Sequence, residues 1–330
     1  MRVKSKKAAS NNSLVCAVML NWNAGEMSVK GARSLLASDY GNLILYLVDN
    51  GSPDASWELF EKEFGTDNRV QLLQTGRNMG YARGMNFGLQ KAAEISPDYF
   101  LIINNDIKIA PESLTELVKT SRRYDDNCLV TGKVYRYFQP DVFENVGGYR
   151  DDRTLQVTPL GRDVKDEGQF EEEAEREAID DMMMLFPRKV YDLIGGYCPY
   201  FTMNYEQADL VIRAREKGIK LIYCPRARLW HIGSYATGGV GNPVMMFWDA
   251  ESKIILHYLH QCKRDFLVFH LGYFLSCLKD LLRRILVRIR DSNYPIKPSW
   301  AQMIGFFSGT YWIFKKMSTQ SGYNPFLKKK

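Results

Sequence analysis

Amide and carboxylate side chains follow each of four short apolar runs in the first third of the sequence. The four polar segments are Asn21-Trp22-Asn23, Asp49-Asn50-Gly51-Ser52, Gly76-Arg77-Asn78 and Asn104-Asn105-Asp106. Carboxylate and amide oxygens can hydrogen-bond a sugar, a ribose or a nucleotide base, and a carboxylate can hold a divalent cation whose other ligands come from a diphosphate. Asp49 suits the first task and Asp106 the second, with Asn104 and Asn105 beside it. The alternative for each acid is a turn or capping role ahead of the next helix.

The glycine-rich segment 76–88 carries a second group of candidate ligands. Glycine recurs there at every fourth position, and each glycine costs a helix about 1 kcal/mol relative to alanine. Close packing of a helix on a sheet explains the last two glycines, but not Arg77, Arg83 and Asn86, whose side chains suit a diphosphate and a sugar. The segment has no Gly-x-Gly-x-x-Gly fingerprint, which disfavours a dinucleotide-binding enzyme such as a dehydrogenase.

Later in the chain, Glu206 and Asp209 lie three residues apart and share one face of a predicted helix. One of them can act as a base at a cleft while the other pairs with Arg213. The alternative is a pair of carboxylates that favours the helix dipole. His231 follows Trp230 at the end of a predicted strand, where an isolated histidine is more often structural than a ligand.

Strand-length apolar runs alternate with segments of helical spacing over the first 125 residues. The predicted strands are Val15–Leu20, Leu43–Val48, Val70–Leu73 and Tyr99–Ile103, and the predicted helices are Glu26–Ala37, Ala55–Phe64, Tyr81–Ala93 and Pro111–Arg123. This alternation predicts an α/β fold with a mainly parallel sheet flanked by helices. Because ligands bind at the carboxyl ends of parallel strands, we expect the four polar segments to meet at one cleft.

The pattern after Cys128 is less regular. We predict short strands or a hairpin at Val142–Tyr149 and Asp152–Val157, an exposed helix or a loop over the acidic segment Asp163–Glu177, a helix at Glu206–Lys217 and a strand at Lys220–Ile232. Between them, Ala178–Pro187 is an apolar segment with two carboxylates at its head.

Composition limits the class of protein. The chain has 330 residues, of which 45% are hydrophobic and 25% charged, so it can bury a substantial core. Six scattered cysteines without a Cys-x-x-Cys pair indicate a reducing compartment. The basic N-terminus leads into only a short apolar run, so we predict no secretory signal, no spanning helix and a cytoplasmic location.

The charge is concentrated at the C-terminal end, where residues 261–330 carry a net +10 although the whole chain carries +6. The apolar run Phe266–Leu278 precedes the basic, helically spaced run Lys279–Arg290. We predict an amphipathic helix that lies on a bilayer with its cations at lipid phosphates. The alternative is a helix packed on the main domain with a solvated basic edge. The apolar half of this region argues against nucleic acid as the partner.

Taken together, these residues resemble the family 2 glycosyltransferases with a GT-A fold, in particular their bacterial rhamnosyltransferase-like branch. The matched positions are Asn21 and Asn23, Val48–Ser52, the alternate residues Asn78, Gly80, Ala82, Gly84, Asn86 and Gly88, the triplet Asn104-Asn105-Asp106, Gly195-Gly196-Tyr197, Tyr205–Arg213 and Pro225–His231. The likeness spans about residues 14–240, and the occurrence of these segments in the right order makes the combination specific.

The resemblance implies a role for each matched residue. It implies that Asp49 holds the nucleotide base, that Asn86 and Asn104 contact the nucleotide or sugar, and that Asp106 binds Mg²⁺ or Mn²⁺ with His231 as a candidate second ligand. The other predicted nucleotide-sugar residues are Asn21, Asn23, Arg77, Asn78, Gly80, Arg83 and Asn105. The family reaction is an inverting single displacement, in which a carboxylate deprotonates the acceptor and the metal stabilises the leaving nucleoside diphosphate.

Two departures from the family pattern affect the site. The metal triplet keeps one carboxylate, Asp106. The usual Glu-Asp pair of the late block reads Glu206-Gln207, so we predict Glu206 as the base, with Asp209 as the alternative.

The resemblance also divides the chain and suggests its function. It implies a basic tail at 1–13, a GT-A domain at 14–240 and a helical, basic, membrane-associating region at 241–330. Within the GT-A domain, the nucleotide-sugar half covers about 14–125 and the acceptor half about 126–240.

The expected reaction transfers a sugar from a dTDP- or UDP-linked donor, with rhamnose among the candidates, to a glycan or lipid-linked acceptor. The expected setting is surface polysaccharide synthesis, with the protein peripheral on the inner face of the cell membrane. The alternative is a non-catalytic relative that binds nucleotide or glycan in an assembly complex. Gln207 and the single carboxylate of the metal triplet support this alternative.

Overall fold

A computed structural model describes residues 13–233 and 242–317. The strands are β1 Val15–Asn21, β2 Leu43–Asp49, β3 Val70–Gln74, β4 Tyr99–Ile103, β5 Ile107–Ile109, β6 Cys128–Arg136, β7 Gln139–Asn145, β8 Gly148–Arg150, β9 Val157–Pro159, β10 Ala174–Glu175, β11 Met183–Pro187 and β12 Lys220–His231. The helices are α1 Gly25–Leu36, α2 Ser56–Phe64, α3 Tyr81–Ala93, α4 Ser113–Arg123, α5 Arg188–Ile194, α6 Glu206–Glu216, α7 Pro243–His260, α8 Lys263–Arg290 and α9 Lys297–Met317. Most of the predicted basic tail, the predicted boundary at 240 and the basic residues after 317 lie outside the described residues.

The main sheet has the strand order β10-β12-β6-β11-β4-β1-β2-β3. Strands β1 to β4, β6 and β12 run in the same direction, and β11 is antiparallel between β4 and β6. The predicted α/β fold with a mainly parallel sheet is therefore confirmed. The reversed strand β11 brings its amino end to the edge where β4 has its carboxyl end.

The core fills both faces of this sheet, as the alternation of β-strand side chains requires. In β1, Val15, Ala17 and Met19 pack with α1, α2 and α4 on one face. Cys16 and Val18 point to the other face and pack with α3, α5, α6 and α7. Both faces are covered, which leaves the strand ends as the place for polar groups.

Helix α3 lies very close to the sheet, and its glycines explain why. A Cβ on Gly84 would lie 2.8 Å from Leu20 Cδ1, and one on Gly88 would lie 2.8 Å from Val48 Cγ2. The packing interpretation of these two glycines is confirmed. The close approach fixes the start of α3 near the ends of β1 and β2.

The acidic segment Asp163–Glu177 is not the exposed helix we predicted as one alternative. It is largely irregular, with β10 near its end, because several of its acids serve tertiary contacts. Lys133 is 2% exposed and pairs with Glu171 and, at 3.6 Å, with Asp166. Asp166 also accepts a hydrogen bond from the Tyr135 hydroxyl at 2.5 Å. The segment thus neutralises a buried lysine of β6.

The hairpin predicted upstream is displaced along the chain. The predicted strand Val142–Tyr149 is divided between β7 and β8, and most of Asp152–Val157 forms the turn between β8 and β9. Strand β6, which sequence reasoning did not single out, is almost wholly buried.

The described part of the C-terminal region forms α7, α8 and α9. Gly309 allows α9 to approach α7, since a Cβ there would lie 2.9 Å from the carbonyl oxygen of Glu251. The apolar and basic runs predicted from the sequence form the single helix α8. No helix in the described ranges is long and apolar enough to cross a membrane.

Candidate active site

The ends of β1, β2 and β4 are joined by a chain of buried hydrogen bonds. Asn21 and Asp49 are register partners, and the Asn21 amide donates to Asp49 Oδ1 at 2.9 Å. Ser28 on α1 donates to Asn21 Oδ1 at 2.7 Å and accepts from the Asn105 amide at 2.8 Å. The predicted convergence of these polar segments at one edge is therefore confirmed for Asn21, Asp49 and Asn105.

A tight turn after β2 fixes the Asp49 carboxylate. The Ser52 hydroxyl donates to Asp49 Oδ1 at 2.5 Å and accepts from the backbone N–H of Asn23 at 2.8 Å. Gly51 has a φ of +69°, and a Cβ on it would collide with the backbone of Arg77. Asp49 is 2% exposed, so its orientation is set by the fold before any ligand binds.

Asn50, which sequence reasoning treated only as a turn residue, shapes the loop before α3. Its amide donates to Asn78 Oδ1 at 3.2 Å, and its Oδ1 accepts from the Met79 N–H at 3.1 Å. Asn78 Oδ1 also accepts from the N–H of Gly80 at 2.8 Å. Asn78 and Gly80 thus build the loop on which the exposed Arg77 lies.

Two predicted ligands on α3 contact the backbone of the segment that follows α5. Asn86 donates to the carbonyl of Tyr197 and accepts from its N–H, both at 2.8 Å. Arg83 donates through Nε to the carbonyl of Pro199 at 3.0 Å. The Asn86 amide therefore positions the segment after α5, and its second N–H and second lone pair leave the predicted ligand contact a prediction.

Asp106 and His231 meet beside these strand ends. His231 Nε2 lies 3.2 Å from Asp106 Oδ1, and Nδ1 on its other side lies 3.0 Å from Glu144 Oε1. Burial disfavours the charged ring, but the hydrogen bonds with the two carboxylates outweigh it and raise the pKa of His231 to about 10. The predicted pairing of Asp106 with His231 is thus seen, and Glu144 is a partner that sequence reasoning missed. Asn104 is half-buried, and its N–H donates to the carbonyl of Met182 at 3.1 Å.

A divalent ion fits this pair as a site completed by its substrate. Within the described residues, no group of three or more acidic, histidine or cysteine side chains could hold a metal by itself. Asp106 and His231 would supply one oxygen and one nitrogen once a bound ion displaces the proton that lies between Oδ1 and Nε2. Magnesium-type sites commonly take one or two protein ligands and fill the remainder with phosphate and water.

Three carboxylates lie next to this pair, and we call them the acidic cluster: Asp180, Asp181 and Glu206. The hydroxyls of Tyr81 and Tyr197 donate to Asp181 Oδ2, the former at 3.3 Å. Glu206 is 8% exposed, and its Oε2 has no hydrogen-bond partner among the described residues. Sequence reasoning noted the two aspartates only as the head of an apolar segment, and that unusual start of a buried strand was the signal for them.

Burial and mutual repulsion raise the pKa values of the acidic cluster. Desolvation and the neighbouring Asp180 raise the pKa of Asp181 to about 7. Desolvation, followed by the charges of Asp181 and Asp180, raises the pKa of Glu206 to about 8. Carboxyl groups that exchange a proton near neutral pH suit general base catalysis.

These pKa values predict how stability changes with pH. Asp181, which faces Asp180, Glu206, Tyr81 and Tyr197, and Glu206 hold protons in the folded state that the unfolded chain releases above pH ~4.5. The free energy of unfolding should therefore fall as pH rises from about 5 to 8, by up to about 1.4 kcal/mol per pH unit for each group. Thermal melting in EDTA should show Glu206→Gln gaining stability relative to wild type between pH 6 and pH 9. A constant difference across that range would contradict the shifts.

Asp209, the alternative base, is unavailable for proton transfer. Its Oδ2 pairs with Arg213 at 2.8 Å and its Oδ1 with His260 Nε2 at 2.9 Å. Burial opposes its charge, but Arg213 and His260 lower the pKa of Asp209 overall. Asp209 is a structural anchor between α6 and α7, which corrects the prediction that it is an alternative base.

Comparisons with known proteins identify relatives of this chain. A family model described as Glycosyl transferase family 2 matches residues 16–193. GlyG, a glycosyltransferase of Streptococcus pneumoniae, is 29% identical over 130 residues, which cover 39% of this chain and 42% of that protein. A Mycobacterium tuberculosis protein named N-acetylglucosaminyl-diphospho-decaprenol L-rhamnosyltransferase is 22% identical over 224 residues, or 58% of this chain and 67% of that protein.

The match covers a smaller part of other relatives. An uncharacterized protein of Sinorhizobium fredii is 28% identical over 211 residues, which cover 62% of this chain and 23% of that protein. The chain thus spans less than half the length of several relatives that it matches.

Two solved structures share the fold. GalNAc-T7, in complex with UDP, GalNAc and Mn²⁺, aligns with a TM-score of 0.56 and 16% identity over 74% of this chain and 50% of that one. The mannosyltransferase PcManGT of Pyrobaculum calidifontis, with GDP-Man and Mn²⁺, gives a TM-score of 0.53 and 14% identity over 97% of this chain and 79% of that one. At these identities the likeness concerns the fold, and it agrees with the predicted GT-A architecture.

Proposed function

The chain belongs to glycosyl transferase family 2, and we propose that it moves a sugar from a nucleoside-diphosphate sugar to a glycan or lipid-linked acceptor with inversion. The observation that carries the proposal is the grouping at one sheet edge. The Asp49 network reaches Asn105 at the end of β4, Asp106 follows with His231, and the acidic cluster lies beside them.

The roles of the donor-binding residues follow from their positions. Asp49, fixed by Asn21, would accept from the nucleotide base, and the exposed Arg77 and Arg83 would face the diphosphate. Asp106 and His231 would hold Mg²⁺ or Mn²⁺, and a bound divalent ion supplies charge to stabilise a leaving diphosphate. The Mn²⁺ complexes of the two solved neighbours support a divalent ion in general. The proposed donor is dTDP- or UDP-linked. The UDP complex of GalNAc-T7 supports a UDP-linked donor, and the name of the mycobacterial relative supports rhamnose among the candidate sugars.

The base would be a carboxylate of the acidic cluster. Glu206, the residue predicted from the sequence, has a pKa of about 8, and its Oε2 has no hydrogen-bond partner among residues 13–233 and 242–317. Its neighbours Asp180 and Asp181 are the other candidates. Any of them would have to lie within hydrogen-bond reach of the acceptor hydroxyl.

The test is nucleoside diphosphate release by the purified chain with a panel of UDP, dTDP and GDP sugars, with Mg²⁺, Mn²⁺ or EDTA. We expect release with at least one donor and its loss in EDTA. The competing proposal is a non-catalytic relative, which the amide of Gln207 favours at a position where the family carries a carboxylate. Tight nucleotide binding without transfer to any glycan or lipid acceptor would support that competitor.

We also propose that α8 and α9 hold the protein at the cytoplasmic face of a membrane. Helix α9 exposes a stripe of large apolar residues at alternating spacings of four and three, and α8 exposes a second set. These are Trp300, Ile304, Phe307, Tyr311 and Phe314 on α9, and Leu267, Leu271, Leu275, Leu282, Leu286 and Ile289 on α8. Exposed cations lie along α8, among them Lys279, Arg283 and Arg290. An apolar stripe beside cations fits an anionic bilayer surface.

Flotation with phosphatidylglycerol vesicles tests this surface. The double variant Phe307→Glu/Phe314→Glu should lower the vesicle-bound fraction at least tenfold. Each of these exposed aromatic side chains would contribute roughly 2–3 kcal/mol when it is buried in the bilayer surface. Phe138→Glu is the matched control, since Phe138 is 79% exposed on the β6–β7 turn, away from both helices. Equal binding by all three proteins, or dimers in solution that only the double variant disrupts, would contradict membrane docking.

A further inference from the structure

A cavity of about 830 Å³ lies between the acceptor half of the catalytic domain and the helices α7 and α8. Its walls come from the β7–β9 segment, the residues before β11, the start of α6, and one face each of α7 and α8. This volume is in the range of small-molecule sites. None of the donor-side residues Asp49, Arg77 and Asp106 lines it, so it is a second compartment.

The lining is suited to a saccharide. Aromatic rings and amides share it, namely Tyr205, Phe269, Tyr273, Asn145, Gln156, Gln207 and Gln261. An amide can donate to and accept from neighbouring sugar hydroxyls, and a ring can cover the apolar face of the sugar. Its charges are partly neutralised within the wall, as in the pair Arg153 and Asp265 at 3.0 Å.

Asp180 is the member of the acidic cluster that lines this cavity, whereas Asp181 and Glu206 do not. It is half-buried, its Oδ1 accepts from the Met182 N–H at 2.9 Å, and its electrostatic neighbours include His231. Asp180 therefore lies between the cavity and the candidate metal ligands.

The residue beside Asp180 at this end of the cavity cannot act as a base. Gln207 donates to the carbonyl of Ile179 at 3.3 Å, and its amide does not take up a proton at neutral pH. The position where the family pattern has a second carboxylate therefore lacks one. Asp180, which precedes β11, supplies a carboxylate next to that position.

We propose that the cavity binds the acceptor saccharide and that Asp180 is the general base for its reacting hydroxyl. The proposal rests on the proposed glycosyl transfer. In the step, the acceptor O–H proton passes to Asp180 as the acceptor oxygen bonds the anomeric carbon. The bond from that carbon to the phosphate oxygen breaks, and the nucleoside diphosphate leaves with the electron pair. Asp181 and Glu206 then serve as neighbours that set the charge around Asp180.

The first arm of the test measures binding without a donor. Ligand-observed NMR with methyl glycosides of glucose, galactose, rhamnose and N-acetylglucosamine should show at least one binding to wild type. Ala208→Trp, and independently Gln156→Trp on the exposed loop, should abolish that signal because both residues line the cavity. Binding of none of the glycosides, or binding that persists in both folded variants, overturns the cavity assignment.

The second arm measures transfer to the bound glycoside. Asp180→Asn should lower kcat at least 100-fold, as expected for loss of a general base, while glycoside binding and the affinity for UDP with Mn²⁺ stay within threefold. Asp192→Asn, on the exposed face of α5, is the matched control. A loss of kcat below threefold in Asp180→Asn overturns the base assignment. A loss of kcat in Glu206→Gln that exceeds the loss in Asp180→Asn overturns it as well. If wild type releases nucleoside diphosphate from no donor, the proposed function fails, and the binding arm still judges the cavity.

Discussion

Asp106→Ala should abolish sugar transfer, with turnover at least 10³-fold below wild type, which corresponds to about 4 kcal/mol of transition-state stabilisation. Asp106 supplies the only carboxylate of the candidate metal pair, and His231 alone would remain to hold a divalent ion. His231→Ala keeps that carboxylate, so we expect a smaller loss of about 100-fold with a raised metal concentration for half-maximal activity. The measurement is nucleoside diphosphate release against Mg²⁺ and Mn²⁺ concentration.

The same experiment separates metal binding from folding. Asp192→Ala removes an aspartate that is 55% exposed on α5 and pairs only with the nearby Arg188 in the described structure. It should keep wild-type turnover, and Asp106→Ala should melt within a few degrees of it in EDTA. Undiminished turnover by Asp106→Ala would remove the metal role from Asp106 altogether.

The donor side of the site was predictable from the sequence because it depends on a local rule. Parallel strands that alternate with helices present their carboxyl ends together, so the residues that follow β1, β2 and β4 had to meet. The register of Asn21 with Asp49 and the link through Ser28 to Asn105 show that they do. No long-range information was needed beyond the period of each segment.

The two aspartates of the acidic cluster were not predictable by the same rule, because β11 runs against its neighbours. Met183 at the start of β11 pairs with Ile103 at the end of β4. The aspartates before β11 therefore arrive at the catalytic edge from an amino end, whereas the rule searches only carboxyl ends. Strand direction depends on nonlocal pairing, which the apolar run Ala178–Pro187 does not encode.

Side-chain roles were harder to predict than positions. Asn86 lies in a matched motif and was expected to contact ligand, and the structure adds that its amide holds the backbone of Tyr197. The same motif position can therefore serve the cleft indirectly, by holding the segment that forms its wall. Composition and spacing cannot distinguish an amide that binds a ligand from one that binds a loop.

Asp209→Ala should destabilise the protein by about 3–5 kcal/mol, because it leaves a buried guanidinium and a buried imidazole without their shared carboxylate. Asp209 is 2% exposed, and its partners Arg213 and His260 are 18% and 7% exposed. Arg213 would keep its hydrogen bond to the carbonyl of Gly196 at 2.8 Å, so α6 would stay near the segment after α5. The contact that fails is the pair between Asp209 of α6 and His260 of α7. We expect the melting temperature to fall by roughly 6–15 °C.

An aspartate in an exposed ion pair provides the control. Asp192 is 55% exposed and pairs at 2.8 Å with Arg188, which is 34% exposed. Asp192→Ala should cost no more than about 1 kcal/mol, because solvent screens such a pair. At a temperature where Asp209→Ala is folded, its kcat should stay within threefold of wild type, since an anchored carboxylate takes no proton from substrate. A well-folded Asp209→Ala protein with wild-type melting and lost turnover would restore Asp209 as the base and remove its role as the anchor of α7.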